Sequence, residues 1–266
     1  MRRAKSYPSD LTDGQWQVIA PHLPAGVPGR RGRPRIWPLR MIIDGILYVD
    51  RTGCAWRCLP SEFPPWRTVY GYFAAWRDDG TLARLHDGLR ARVRTAAGRS
   101  PEPTAAVIGS QPVRAADTVP RTGRGWDNAK KVNGTKRHIA VDALGLLLAV
   151  VITAACAQDR DGARPLLWDL RRACRRVRLV WAGSACNGKL TAWAAALQMN
   201  IQIVARRNPH AFEVLPRRWA VERTFAWISK NRRTVRDCER LAASHEAMLL
   251  WSMTALMARR LAQPTH

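Results

Sequence analysis

Apolar residues recur at helical spacing over the first 95 positions of the chain. This recurrence predicts four helices, because residues three and four apart share one face of a helix. Thr12 is suited to cap the first helix and Pro38 to open the second, while Gly53 and Gly80 should end the second and third. The expected core positions are Trp16, Ile19, Leu23, Ile42, Ile46, Val69, Phe73, Trp76, Leu82, Leu85 and Leu89. We expect short helices joined by tight turns, which in a basic context suggests a helix-turn-helix unit, with a plain bundle as the alternative.

The pattern changes after a Gly- and Pro-containing stretch at 95–104. A short apolar run at 105–108 predicts a strand, and two runs on either side of Gly145 predict a hairpin. Helix, strand, helix, strand and two further helices follow. This order is compatible with a mixed sheet flanked by helices, although it also fits other α/β folds. The predicted division is a helical domain at 1–97, a linker at 98–104 and a sheet-containing domain at 105–266.

The charge balance of the chain is strongly basic. Its 44 Lys and Arg against 20 Asp and Glu give a formal net charge of +24, while a hydrophobic content of 47% is that of a globular protein. Such an excess predicts a polyanionic partner, and nucleic acid is favoured over a membrane surface because no basic amphipathic helix is evident. No apolar run reaches the roughly 18 to 20 residues of a membrane span, and no signal peptide is recognisable. A cytoplasmic, nucleoid-associated protein is therefore expected.

The segment 215–227, which reads LPRRWAVERTFAW, places the carboxylate of Glu222 among arginines. Its spacing allows a surface salt bridge between Arg218 and Glu222, one helical turn apart. The sequence of the segment, however, resembles that of the catalytic helix of bacterial insertion-sequence transposases of the Asp-Asp-Glu (DDE) type. In that family such a Glu is the third metal-binding acid.

The resemblance extends over most of the chain. The words LTDGQW at 11–16, RTGCAWR at 51–57 and FPPWRTVY at 63–70 are similar to the DNA-binding half of these proteins. KVNGTKRHI at 131–139, QDRDGA at 158–163 and VWA at 180–182 are similar to the other half. The resemblance, to the insertion-sequence four/five group, implies a helical helix-turn-helix-like domain followed by a ribonuclease H-like mixed sheet. The predicted fold class is therefore α+β and multidomain.

Two family acids are absent from their expected positions. The family's Asp-Ser-Gln word is Gly109-Ser-Gln here, and the acid that follows Trp-Ala is Gly183. The family cofactor is Mg²⁺, a hard ion that prefers carboxylate oxygens, and only Glu222 remains as a ligand of this incomplete site. We expect catalysis and Mg²⁺ binding to be lost or weak unless another acid substitutes. The candidates for substitution are Asp117, Asp127, Asp142, Asp159 and Asp161.

Several basic groups are candidate DNA contacts. The segment 30–35 resembles an AT-hook, whose arginines lie in a narrow minor groove, although a flexible basic linker is the alternative. A second group precedes and enters the predicted hairpin, and a third precedes Glu222. The candidates are Arg30, Arg31, Arg33, Arg35, Lys130, Lys131, Lys136, Arg137, His138, Arg217 and Arg218. Trp219 and Trp227 lie close to one helix face, which favours packing over base stacking.

The leading functional hypothesis is an insertion-sequence transposase that binds element-end DNA and would cleave and join it. Because Gly109 and Gly183 replace two acids, this copy is expected to be inactive or severely impaired. The competing hypothesis is a non-catalytic DNA-binding protein derived from a transposase, acting as a repressor or a competitor for element ends. The expected partner is double-stranded DNA, both terminal repeats and target, and self-association into a homo-oligomer is left open.

Overall fold

A computed structural model of the chain describes residues 7–24, 36–186, 188–204 and 216–263, excluding the side chains of Lys189, Pro216 and Arg217. The chain forms two compact units. The first comprises 1–99, 230–234 and 247–266, and the second comprises 100–229 and 235–246. The segments 230–234 and 247–266 therefore belong with the N-terminal helices, whereas the sequence division assigned them to the sheet-containing domain. Hydrophobic pattern alone does not reveal which unit a C-terminal helix joins.

The first unit begins with the four expected helices. They are α1 (Asp13–Ile19), α2 (Leu39–Thr52), α3 (Trp66–Asp78) and α4 (Thr81–Ala96). Thr12 caps α1 as predicted: its Oγ1 accepts from the Gln15 backbone N–H at 3.2 Å, and the Gln15 side chain accepts from the Thr12 N–H at 3.1 Å. Gly53 ends α2 in the left-handed region with φ of 74°, which a residue with a Cβ rarely adopts. The assignment of a helix-turn-helix concerns DNA binding and stays a prediction.

The second unit is built on a mixed sheet. Its strands are β1 (Ala105–Arg114), β2 (Gly125–Asp127), β3 (Val132–Val141), β4 (Leu147–Ala154), β5 (Leu179–Ala182) and β6 (Asn200–Ile203). β3 pairs antiparallel with β1, β2 and β4, whereas β5 pairs parallel with both β1 and β6. This sheet and its flanking helices confirm the α+β class and the ribonuclease H-like arrangement. β1 is longer than the predicted run at 105–108, because pairing with β3 continues through Gly109 to Arg114.

Five further helices follow along the described part of the chain. They are α5 (Asp159–Ala173), α6 (Lys189–Ala196), α7 (Pro216–Ile228), α8 (Arg232–Val235) and α9 (Ala242–Leu261). α5 packs against β3 and β4 through buried Leu166, Leu167 and Leu170, and α7 packs against β1, β3 and β5. No described helix is both long enough and apolar enough to cross a membrane.

The predicted hairpin turn is confirmed between β3 and β4. Asp142 is fully buried, and its Oδ1 accepts from the backbone N–H groups of Leu144 and Leu146 at 2.9 and 2.8 Å. Gly145 supplies the left-handed residue of the turn, with φ of 76°. Asp142 is thus a turn-forming residue, which argues against its use as a substitute metal ligand.

Candidate functional site

Gly109, inside β1, and Gly183, the residue after β5, occupy equivalent positions in the register of two neighbouring parallel strands. The register of β1 and β5 ends at the pair Val107 and Trp181, so each glycine lies two residues beyond the last pair. In open α/β sheets, ligands bind in the crevice outside the carboxyl ends of such strands. The strand register therefore places the two positions beside each other, where the pairing of β1 with β5 ends.

Helix α7 lies over both glycines. A Cβ placed on Gly109 would lie 2.5 Å from Cγ1 of Val221, closer than real Cβ contacts. A Cβ on Gly183 would lie 3.6 to 3.7 Å from the guanidinium of Arg218, which is ordinary contact. An acid at position 183 would therefore fit beside a cation, whereas an acid at 109 requires Val221 or its helix to move. Val in a helix is confined largely to one χ1 rotamer, so the movement is costly.

A cleft of about 990 Å³ contains the three predicted positions Gly109, Gly183 and Glu222. Four α7 residues line it, here called the α7 face: Arg218, Val221, Glu222 and Phe225. The other charged or titratable groups lining it are Asp127, Lys130, Lys136, His138, Asp159, Arg160 and Cys186. Four cationic and three anionic side chains thus share the cleft with the imidazole of His138 and the thiol of Cys186.

The salt bridge allowed between Arg218 and Glu222 is not formed. Among the described residues neither side chain has a hydrogen-bond or ion-pair partner, and Glu222 is exposed at the cleft. Arg223, the next basic residue, instead places its guanidinium 4.9 Å from the ring centroid of Trp227. The α7 face therefore presents its charges to the cleft rather than to each other.

Two acids on the other side of the cleft are neutralised by a lysine. The ammonium of Lys136 lies 3.1 Å from Asp127 Oδ2 and 3.2 Å from Asp159 Oδ1, and it donates to the carbonyl of Ala157 at 2.8 Å. We call Asp127, Lys136 and Asp159 the Lys136 cluster. Burial disfavours the charged ammonium, but the two carboxylates outweigh this effect and raise the pKa of Lys136. Neither acid is available to replace a missing metal ligand while Lys136 holds it.

Arg137 and His138, two predicted DNA contacts, are engaged inside the protein. Arg137 is 1% exposed, donates to Gln111 Oε1 at 2.6 Å and lies over the ring of Phe225. His138 is 2% exposed, and its Nε2 lies 3.0 Å from Thr153 Oγ1. Burial lowers the pKa of His138 to about 4, so the imidazole is neutral at pH 7. A phosphate contact by either side chain would require it to leave these partners.

The remaining predicted basic residues divide into two groups. Lys130 and Lys131 are exposed in the turn before β3, and Lys130 lines the cleft. Arg217 lies on α7, but its side chain is outside the described part of the structure. The AT-hook-like residues Arg30, Arg31, Arg33 and Arg35 also lie outside the described residues.

The donor set of the cleft does not fit a divalent metal ion. Among the described residues, no group of three or more His, Cys, Asp and Glu side chains is placed to hold a metal. Glu222 is the single cleft carboxylate outside the Lys136 cluster, and Arg218 lies against the position of the second acid. Glycine supplies no side-chain oxygen, and a guanidinium repels a cation. The cleft is therefore better suited to an anion.

Sequence reasoning did not identify three features of the site. Arg160 lines the cleft, exposed, at the start of α5, and Val221 fills the space beside Gly109. Trp219 is 49% exposed, so the expectation that it packs was wrong. Among the α7 side chains that the structure describes, the buried ones are Ala220, Val221, Thr224, Phe225 and Ile228, and Trp219 lies at the margin of this stripe. The spacing of these apolar residues in the sequence could have predicted that Trp219 is partly exposed.

Comparison with protein families gives two matches. Residues 100–257 match the family model described as "Transposase DDE domain". Residues 11–86 match the model described as "Putative transposase of IS4/5 family". The first match covers more than half of the chain and includes Gly109, Gly183 and Glu222.

Individual relatives come from insertion elements and related bacterial sequences. A "Putative transposase for insertion sequence element IS402" from Burkholderia cepacia is 33% identical over 139 residues, covering 49% of this chain and 65% of the relative. An "Insertion element IS402 uncharacterized 16.2 kDa protein" from the same organism is 36% identical over 90 residues, covering 32% and 61%. "Uncharacterized protein y4sN" from Sinorhizobium fredii is 36% identical over 75 residues, covering 28% and 58%. The chain thus spans under two thirds of the length of each relative.

Proposed function

Because this chain belongs to the DDE transposases of insertion sequences, we propose that it binds element-end DNA but cleaves and joins it poorly or not at all. Family membership supplies the reaction class. The site of action is then the DNA of the nucleoid, with terminal repeats and target as substrates. Assembly into a homo-oligomer on that DNA stays a prediction.

The observation that carries the proposal is the composition of the cleft. Gly109 and Gly183 stand at equivalent positions in the register of β1 and β5, and Glu222 is the single family acid that remains. Family chemistry relies on divalent ions that stabilise the attacking and leaving oxygens of a phosphodiester. Each 1.36 kcal/mol of lost stabilisation is tenfold in rate, so losing two of three anionic ligands should cost on the order of a thousandfold or more.

The same cleft supports binding of a polyanion. Arg218, Lys130 and Arg160 face it outside the Lys136 cluster, and the chain carries a net charge of +24. Cations that are already close together can replace the counterions of a phosphate backbone, which gives affinity that falls steeply with salt. Binding of this kind needs no metal ion.

A donor-cleavage assay tests the loss of catalysis. Element-end DNA is incubated with the full chain and Mg²⁺ or Mn²⁺, with Glu222→Ala as the matched control. We expect no nicking above that control, while gel shifts in EDTA reveal binding of the same DNA. Divalent-ion-dependent nicking that disappears in Glu222→Ala would show that the site is active and refute the proposal.

A non-catalytic repressor or competitor for element ends is the second candidate, favoured by Gly109 and Gly183 themselves. A Gly109→Asp, Gly183→Asp double variant distinguishes an impaired transposase from a non-catalytic repressor or competitor. Regained strand transfer would identify an otherwise intact enzyme scaffold. Repression of an element-end promoter by the unaltered chain, without recovery of strand transfer in the double variant, would favour the regulatory role.

A further inference from the structure

Gln111 connects the buried interior of the sheet to the cleft. It lies opposite Arg137 in the register of β1 and β3, and its Oε1 accepts from the guanidinium of Arg137 at 2.6 Å. Arg137 is 1% exposed and does not line the cleft, whereas Gln111 does. The Gln111 side chain therefore has one polar atom bound inside the sheet while it stands at the wall of the cleft.

The hydrogen bond from Arg137 determines which end of the Gln111 amide is left for the cleft. A guanidinium carries only donors, so the atom that it contacts must be the amide oxygen and not the amide nitrogen. The nitrogen is then turned away from Arg137, and its N–H groups have no partner among the described residues. Gln111 consequently offers neutral hydrogen-bond donors to a ligand in the cleft.

Arg137 is itself held in place, so the orientation of the amide is fixed. Its guanidinium lies 5.9 Å from the ring centroid of Phe225 on α7. Burial lowers the pKa of Arg137 to about 10, an effect that the carboxylate of Asp237 opposes, so the guanidinium is charged at pH 7. A hydrogen bond from a charged donor is stronger than one from a neutral donor. The Gln111 amide therefore has little freedom to rotate.

Gln111 lies on the same face of β1 as the position of the first family acid. Residues two apart on a strand point to the same side of a sheet, so Gln111 and Gly109 share a face. Helix α7 packs on this face, because Val221 meets a Cβ placed on Gly109 and Phe225 lies against Arg137. The amide donors thus belong to the wall of the cleft on which the family places its reacting phosphate.

We propose that Gln111 is a phosphate-binding residue, whose amide nitrogen donates to a phosphodiester oxygen of DNA in the cleft, and that Arg137 is the positioning residue that orients it. This proposal rests on the proposed DNA binding and adds to it a contact without charge. Glutamine amides contact DNA phosphates in proteins as cations do. A neutral donor replaces no counterion, so it adds affinity without adding to the salt dependence of binding.

Gln111→Glu separates the phosphate contact from the internal hydrogen bond. A Glu side chain has the same shape and still accepts from Arg137, but its carboxylate has no N–H to donate and repels a phosphate. With duplex DNA in EDTA, fluorescence anisotropy should show a loss of affinity of about tenfold to a hundredfold, while the Tm of the variant is not lowered. Affinity within about twofold of the unaltered chain would overturn the phosphate contact.

Gln198 provides the matched control. Its Oε1 also accepts from a guanidinium, that of Arg171 at 2.7 Å, but it does not line the cleft. Gln198→Glu makes the same change of charge and should keep its affinity within about twofold. An equal loss in the Gln111 and Gln198 variants would assign the effect to net charge and overturn the proposal. If the unaltered chain does not bind duplex DNA, the proposed DNA binding fails and this contact fails with it.

A double-mutant cycle tests the role of Arg137. Gln111→Met should weaken binding about tenfold and leave the slope of log affinity against log salt unchanged. Arg137→Met should weaken binding when Gln111 is present and change it by less than about twofold in the Gln111→Met background. Arg137→Lys, which keeps a buried cation, takes its place if Arg137→Met shows no cooperative thermal transition. A fall of about 0.9 in the slope of Arg137→Met, or additive losses in the cycle, would overturn the positioning role.

Discussion

The two sides of the cleft carry charge in different states. In the Lys136 cluster an ammonium is shared by Asp127 and Asp159, and Lys136 is 6% exposed. On the α7 face, Arg218 and Glu222 point to the cleft and have no ion-pair partner among the described residues. A charge inside a sheet must be compensated internally because desolvation is expensive, whereas a charge at the surface is stabilised by water. The number of basic residues in the sequence therefore overstates the positive charge that a ligand can reach.

Removing the central cation of each side should produce the largest difference between the two sides in the free energy of unfolding. Lys136→Met removes the cation shared by the largely buried Asp127 and the partly exposed Asp159, and we expect it to lower the free energy of unfolding by about 2 to 4 kcal/mol. Arg218→Met, the matched change on the α7 face, should alter it by no more than about 0.5 kcal/mol. Urea denaturation measures both. Equal effects on unfolding would mean that the charge of Lys136 does not depend on internal partners more than the charge of Arg218 does.

The sequence predicted one side of this comparison better than the other. The family words and the order of elements were sufficient to expect Gly109, Gly183 and Glu222 at one sheet edge, because parallel register places equivalent strand positions together. The partners of Lys136 could not be predicted, since Asp127 and Asp159 come from different elements and meet it only through tertiary packing. A run of basic residues looks the same in the sequence whether its strand is central or exposed.

The position of β3 explains the same limitation for Arg137 and His138. β3 has β1 on one side and β4 on the other, and its residues 134–141 are all buried. The polar character of the sequence KRH predicted that these residues would be exposed near the start of a strand. Gln111 and Thr153, which lie on those neighbouring strands, instead supply internal partners. Arg137 and His138 are buried because β3 pairs with strands from distant parts of the sequence, and the local sequence pattern does not predict this pairing.

The two vacated acid positions should respond differently to restoration. Gly109→Asp places a Cβ 2.5 Å from Val221 Cγ1 and should cost about 1 to 3 kcal/mol of unfolding free energy. Gly183→Asp meets only the Arg218 guanidinium and should change stability by no more than about 0.5 kcal/mol. A double-mutant cycle with Val221→Ala should give a favourable coupling of about 1 kcal/mol with Gly109→Asp and none with Gly183→Asp. Without that coupling, Val221 is not the obstacle.

The charge-dependent part of DNA binding should depend on the cations that face the cleft, Arg218 and Lys130, rather than on buried cations. Arg218→Ala and Lys130→Ala should each weaken binding across sequences and reduce the slope of log affinity against log salt by about 0.9, one phosphate contact each. Arg175→Ala removes an exposed arginine that does not line the cleft and should leave the slope unchanged. Fluorescence anisotropy between low and moderate salt measures the slope. A slope change in the Arg175 variant as large as in the other two would indicate diffuse surface charge instead of a defined cleft.

Acidification should produce the smallest effect, and it should arise on the side of the Lys136 cluster. Burial alone would raise the pKa of Asp127, but the backbone N–H of Lys130 and the ammonium of Lys136 outweigh it and lower the pKa below the ordinary value of 3.8. A carboxylate with a depressed pKa stabilises the fold above pH 3.8, and this contribution disappears as pH falls through the folded pKa.

Thermal unfolding between pH 7 and pH 2 measures this contribution. Asp127→Asn should lower stability at pH 7 and flatten the fall in Tm at the acid end of the range. In the Lys136→Met background the same substitution should change the profile less, because the ammonium that favours the charged carboxylate is absent. An equal change in both backgrounds would assign the depressed pKa to the backbone donors of Ala129 and Lys130 alone. The Lys136 cluster would then contribute packing to the cleft wall without stabilising the charge of Asp127.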